Sequence, residues 1–355
     1  MTRVAILNDT HAGARNSSGI FIGYQERFYT DIFFPYLREH GIDRILHLGD
    51  YYEHRKFVNF KVLNANRTHF LEKLREYNIT MDIIPGNHDV TYRNTNDLCS
   101  LSELMIGFDD VVNIHMKPTE LKFSETDQKI LMLPWINSEN EHYTLKCIEQ
   151  TDAKICLGHF EFCGFEMYRG AICHEGMDMK PFGKFDSVYS GHFHTKSSNG
   201  HIMYLGSQME FTWADCEDPK YFHILDLEDG QLTAVNNPLT LFTKVTYDDE
   251  SFEYADFDYS IFDRQFVKVV VANKTDRHQF EDFIANVQLR KVYDLKIVES
   301  FEGVKVTDDD EYTHFEETSE LISQYVDAID TLLDRDLLKT QLKELYNEAL
   351  HAEQL

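Results

Sequence analysis

The sequence predicts an α/β protein with a small second α/β unit and a closing pair of helices. Three observations carry this. Short apolar runs alternate with stretches of helical period along the first 243 residues, as strands joined by helices do. A compact strand–helix–strand pattern recurs after Lys244. Past residue 306 an acidic run gives way to two amphipathic helical patterns.

In chain order, apolar runs at 4–7, 45–48, 81–84, 111–114, 130–133, 154–157, 187–189, 202–205 and 221–227 read as strands. Residues 24–40 read as a helix because Phe28, Ile32, Tyr36 and Leu37 share one side. Residues 59–77 repeat the pattern through Val62, Leu63, Phe70, Leu71 and Leu74. The strands crowd together later in this unit, which predicts more sheet there. From Lys244 onward, 266–272 is a β-branched strand, 276–289 a helix through Phe280, Phe283, Ile284 and Val287, and 292–298 a further strand. Three units are expected: 1–243, 244–305 and 306–355. The last holds the acidic run at 307–311, which reads as a solvated linker, and helices at about 316–329 and 334–352.

The 355 residues include 43% hydrophobic and 27% charged side chains, ordinary globular usage that suffices for a sizeable core. No apolar run is long enough to span a membrane, and the start lacks the apolar stretch of a secretory signal. Six scattered cysteines form no Cys-x-x-Cys pair, which argues against a disulfide framework or a thiolate zinc site and for a reducing cytoplasm. Net charge is −27, with 12 basic against 27 acidic residues from Lys244 onward. That balance excludes gripping nucleic acid by bulk charge, but not through bound cations and a few local basic residues.

The residues that can do chemistry stand at the carboxyl ends of the strands. Five apolar runs end in Asn8-Asp9-Thr10-His11, Gly49-Asp50, Gly86-Asn87-His88-Asp89, Gly158-His159 and Gly191-His192-Phe193-His194. Ligands of open α/β sheets bind beyond the carboxyl ends of strands, so five such ends can converge. Asp9 and His11, like His192 and His194, lie two apart, which points both members to one side of an extended segment. Oxygen and imidazole donors without thiolate favour manganese, iron or zinc. Asp9, His11, Asp50, Asn87, His159, His192 and His194 are too many for one tetrahedral ion and suit two ions sharing a carboxylate. His47, His69, His115, His142, His201, His223, His278, His314 and His351 read as structural or exposed.

This ordered set resembles the calcineurin-like metallophosphoesterase superfamily over residues 1–240. Within it the chain is most similar to the SbcD-type recombination nucleases and their bacteriophage members. Gly49–Lys56, Leu133-Pro134-Trp135, Gly158–Glu161, Ser190–Thr195 and the tail carry the likeness. The resemblance implies a β-sandwich flanked by helices, a capping domain that meets DNA, and a C-terminal helical pair. It implies a manganese-dependent DNA exonuclease or endonuclease of recombination and break repair, with magnesium as a possible substitute. Asp9, His11 and His194 would hold one ion and Asn87, His159 and His192 the other, bridged by Asp50. His88 would stabilise the transition state or protonate the leaving oxygen. Asp89 would either orient the His88 ring or cap a helix.

One departure stands out. Archaeal and eukaryotic relatives have a histidine three residues after the bridging aspartate, where this chain has Glu53 followed by His54. Arg55, Lys56, Arg93 and Lys196 are either phosphate contacts or solvated loop charges. The implied partners are duplex ends and single strands of DNA, an SbcC-type ATPase and a second copy of the chain. The ATPase would bind the tail through Leu321, Tyr325, Leu338, Leu342 and Leu345. Dimerisation would use the helices at 22–40 and 59–77, whose Phe21, Tyr24, Phe28, Phe60 and Phe70 serve equally as core. A phosphatase or small phosphodiesterase, and a non-catalytic metallo-scaffold, are the competing readings.

Overall fold

Alternation in the first strand sets the architecture. In Arg3–Leu7, Val4 and Ile6 face one way while Ala5 and Leu7 face the other, and all four are buried. A strand buried on both faces needs a layer on each. The computed structural model, which describes residues 3–123, 126–168, 171–174, 176–299 and 339, supplies them. Val4 and Ile6 pack with Leu46, Leu48 and Ile84 against Ile130, Met132, Ile155, Leu157 and Leu205, the core between two sheets. Ala5 and Leu7 pack with Ile45, Met81 and Ile83 against Phe28, Phe33, Phe34, Leu37, Phe70 and Leu74 of the flanking helices.

The first sheet has six strands in the spatial order Leu232–Asn237, Lys220–Asp226, Arg3–Leu7, Arg44–His47, Thr80–Ile83, Val112–Ile114. Its last four strands are parallel, and Lys220–Asp226 runs antiparallel to Arg3–Leu7. The second sheet runs Ser197–Asn199, Ile202–Tyr204, Ser187–Gly191, Ile155–His159, Lys129–Leu133, Thr119–Lys122, with its four central strands parallel. The expected sandwich flanked by helices is therefore present. The parallel strands that carry the five motifs reach Asp9, Asp50, Asn87, His159 and His192 at their carboxyl ends. This is why the motifs meet.

The helix expected at 24–40 begins earlier, at Gly19–Arg27, with Ser18 capping Ile20 N–H, and continues through a π-helical turn at Phe28–Phe33 into Phe34–Glu39. The widened turn brings the adjacent Phe28 and Tyr29 both onto the core. Arg67–Leu71 repeats this between Phe60–Asn66 and Glu72–Tyr77. Of the five aromatics assigned to core or dimer, Phe21, Tyr24, Phe28 and Phe70 are buried, whereas Phe60 is 84% exposed.

A third sheet of three parallel strands, Phe242–Asp248, Phe266–Asn273 and Asp294–Glu299, is covered by the helix Arg277–Gln288. Asp276 caps this helix by accepting from the N–H groups of His278 and Gln279. Phe280, Phe283 and Val287 bury against Tyr247, Val267, Val269 and Val271. The strand at 242–248 was not expected, because Thr243, Lys244 and Thr246 break its apolar pattern. Apart from Lys339, the predicted C-terminal helices, with Leu321, Tyr325, Leu338, Leu342 and Leu345, lie outside the described residues. Among the described residues, no helix is long and apolar enough to cross a membrane.

Candidate metal centre

Backbone geometry comes first. Asp9, His11, Asp50 and His192 all have positive φ, at 47°, 43°, 51° and 89°. Such conformations are uncommon for residues with a Cβ and concentrate at functional sites. They turn the chain at the strand ends, and hydrogen bonds hold the turns: Asp9 N–H donates to Gly49 O, and His11 N–H to Asp50 O, both at 3.0 Å. Two glycines let the loops touch. A Cβ on Gly49 would lie 2.5 Å from Gly86 N, and one on Gly86 would overlap the Asp50 carboxylate and amide. Gly86→Ala is accordingly expected to weaken cation binding at least about tenfold, since Asp50 must yield; calorimetric titration with Mn2+ checks it.

Within this frame the side chains form adjoining clusters. Asp9, His11 and His194 bring donor atoms within 4.8 Å of one another, as do Asp50, His159 and His192. In the second cluster Asn87 Oδ1 is 3.0 Å from both His159 Nε2 and His192 Nδ1. Asp50 Oδ2 is 3.2 Å from His159 Nε2. His159 Nδ1 donates to Leu48 O at 2.8 Å, so the neutral ring presents its Nε2 lone pair to this group. With His159 neutral, carboxylate, carbonyl and imidazole lone pairs face one another, an arrangement that a cation satisfies. The Asn87 amide can also turn its nitrogen inward to donate to these atoms, with its oxygen accepting from Arg55 Nη2 at 3.2 Å. Oxygen inward is the ligand orientation.

Asp50 reaches both clusters, since its Oδ2 is also 3.8 Å from His11 Nε2. The other face of His11 meets Glu53, whose Oε2 lies 2.7 Å from Nδ1. This carboxylate–histidine pairing orients a ring so that Nε2 points at a metal. The charges are balanced against burial. Burial alone would lower His11, but Glu53, Asp50 and Asp9 carry it up to about 10. Burial likewise opposes the rise of His159 to about 9, which Asp50 and Asp9 produce. Burial raises Asp50, yet His159, His88 and His11 hold it well below the carboxylate range. His192 and His194 are lowered chiefly by burial and so stay neutral. Buried carboxylates here demand positive charge, which protons or metal ions can supply. The donor set fits hard or borderline divalent cations.

His88 stands beside the clusters. Its ring meets His11 edge-on at 4.9 Å, its N–H donates to Asp50 Oδ1 at 2.7 Å, and its Nδ1 lies 2.8 Å from Glu53 O. It also groups with His11 and Glu53 as a third set of possible ligands. The expectation that Asp89 orients the His88 ring is corrected by this geometry. The Asp89 carboxylate accepts from the amides of Gly86, Tyr51 and Tyr52 and from Ser100 Oγ. It is therefore a loop clamp, and Glu53 is the neighbour that meets His88. Burial and the charge of Asp50 push Asp89 up to about 6 despite these bonds.

Of the basic candidates, Arg55 bonds the Asn87 oxygen only when the amide nitrogen turns inward, Lys56 and Arg93 are exposed, and Lys196 lies over the Tyr221 ring at 5.1 Å. Three neighbours were not foreseen. Phe211 packs on His11 and His194 at 5.2 and 5.3 Å, and Trp135 on His192 at 5.5 Å. Buried Lys220 donates to His194 O, Asp215 and Asp218, fixing the loop behind His194. Only Trp135 belongs to a motif visible in the sequence; the others come from distant parts of the chain with no spacing signal.

Strands from two sheets meeting at a clustered His/Asp/Asn site define a metal-dependent phosphoesterase class. The chain belongs to the calcineurin-like phosphoesterase family, whose model matches residues 2–196. It is 29% identical over 318 residues to exonuclease subunit 1 of Enterobacteria phage T4, spanning 88% of this chain and 90% of that protein. Among solved structures, an archaeal phosphodiesterase is similar at 12% identity and TM-score 0.34, over 66% of this chain and 99% of that one. A purple acid phosphatase from yellow lupin seeds is similar at 12% identity and TM-score 0.33, over 67% and 46%.

Proposed function

We propose that the chain is a manganese-dependent DNA nuclease, the catalytic subunit of a recombination and break-repair complex. The observation that carries this is the set of lone pairs from Asp50, Asn87, His159 and His192 facing one another beside Asp9, His11 and His194. Asp9, His11 and His194 would hold one ion and Asn87, His159 and His192 the other, with Asp50 shared. When bound, the pair supplies Lewis-acid polarisation of a phosphodiester and activation of water for in-line attack. Glu53 holds the His11 ring in place. Glu53 O fixes His88 Nδ1, which leaves His88 Nε2 to protonate the departing oxygen. The phage relative's name, an exonuclease subunit, supports a nucleic-acid substrate and a partner subunit. The test is digestion of linear duplex and single-stranded DNA by the purified chain with Mn2+ or Mg2+. Hydrolysis of a phosphomonoester with DNA left intact would replace this reading with a phosphatase.

The partner we propose is an SbcC-type ATPase bound through the amphipathic pattern of 316–352. An apolar stripe on short helices gains most from burial against another helix. A chain ending at Val306 is expected to digest DNA weakly with Mn2+ but not to co-purify with the ATPase, and to lose ATP-stimulated digestion. Normal complex formation by this chain would place the partner elsewhere.

A further inference from the structure

Residues 54–71 contain no aspartate or glutamate, in a chain with 61 of them, and include Arg55, Lys56, Lys61 and Arg67. This cationic stretch starts four residues after Asp50, at the rim of the metal centre. One hydrogen bond ties it to the loop after His88, Thr91 Oγ1 donating to Arg55 O at 3.0 Å, and Glu53 O, of the preceding residue, meets His88 Nδ1. The two loops thus form one rim. Half-buried Arg55 lies on the outer side of the Asn87 amide, while Lys56 and Arg93 face solvent without an ion-pair partner among the described residues.

The same rim displays aromatic rings. Phe57 is 62% exposed and Tyr92 53%. The His54 ring stacks on Phe57 with centroids 4.4 Å apart and planes 22° from parallel, and its Nε2 is buried without a hydrogen-bond partner. Val58 packs on the first-sheet core, so the backbone beside Phe57 is anchored while its ring stands in water. Folding gains little from such a ring. Aromatic faces interleaved with cations are what single-stranded nucleic acid requires, because every base offers a π-face and every phosphate a charge.

We propose that the His54–Phe57 stack, with Tyr92 on the adjoining loop, is a platform for one unpaired nucleobase. Arg55, Lys56 and Arg93 hold the phosphates on either side of it. The chain therefore takes single strands and frayed ends in preference to closed duplex. This rests on the nuclease reading above and names the form of DNA that the site accepts.

The experiment uses the full chain with Mn2+ and a short single strand carrying 2-aminopurine as the fluorescent base. Binding is expected to quench the base. In Phe57→Ala the quench should be lost and KM for single strands should rise about tenfold, with kcat changing less; Phe57→Trp should restore both. The unfolding midpoint of Phe57→Ala should match that of the parent, since an exposed ring supports little stability. Unchanged KM and quench in Phe57→Ala, while the parent digests DNA, would overturn the platform and leave the nuclease reading standing. A parent chain that hydrolyses bis(p-nitrophenyl) phosphate but no DNA would overturn both. A lowered midpoint, or a dimer that sedimentation shows to become monomeric in Phe57→Ala, would assign the ring to folding or to a contact between copies and overturn the platform.

Discussion

Asp50→Asn is expected to abolish Mn2+-dependent DNA cleavage, with kcat falling by more than about a thousandfold, because several kcal/mol of charge stabilisation would rest on a carboxylate shared by the two proposed ions. The substitution keeps shape and changes charge. Asp50 Oδ1 accepts from His88 N–H at 2.7 Å, a bond that an amide oxygen can keep. The amide nitrogen would then take the place of Oδ2, 3.2 Å from His159 Nε2 and 3.8 Å from His11 Nε2. A donor would point where lone pairs now converge. The metal-free variant is therefore expected to fold normally, since it trades a buried charge for a hydrogen bond. What it should lose is the rise in unfolding midpoint that Mn2+ is expected to give the parent chain, since only binding to the folded state stabilises it. Calorimetric titration, DNA digestion and thermal unfolding with and without Mn2+ check this together. Full activity would rule out a shared carboxylate.

The site was legible in the sequence to the extent that it is local. Each motif sits directly after a strand, and parallel strands bring their carboxyl ends to one edge, so spacing along the chain becomes proximity in space. Asp9, His11, Asp50, Asn87, His159, His192 and His194 are marked in this way, and the structure brings all seven together. The partners of Glu53 and Asp89 were not legible. Both residues follow metal motifs, and which way each side chain turns depends on contacts across loops. Glu53 turns in to His11, while Asp89 turns away to the amides of Tyr51, Tyr52 and Gly86. Phe211 and Lys220 reach the site from the segment that leads into the antiparallel strand Lys220–Asp226, so no pattern marked them. In the fold, strands with strict apolar runs are legible. Short or polar ones such as Thr119–Lys122 and Ser197–Asn199 escape, because sheet pairing holds them more than their own sequence does.

His88→Ser separates a residue beside the ions from one that holds them. Asp9 and Asp50 supply oxygen donors, and His11, His159, His192 and His194 supply ring nitrogens that face the two clusters. His88 instead meets His11 edge-on and has its Nδ1 against Glu53 O. The variant is expected to bind two Mn2+ ions with little change, because its backbone N–H can still donate to Asp50 Oδ1. Its kcat for DNA should fall about 10²- to 10⁴-fold, the range for removing a general acid, while KM changes little because no phosphate contact is lost. The loss should be smallest for a phosphodiester with a nitrophenolate leaving group, which departs without needing a proton. That contrast distinguishes a proton donor from a ligand, whose removal would slow both substrates alike. The third cluster, His11 with Glu53 and His88, makes the opposite outcome meaningful. If an anomalous-scattering map of His88→Ser showed one ion missing, His88 would be a ligand through that cluster, and the protonation role would pass to another group.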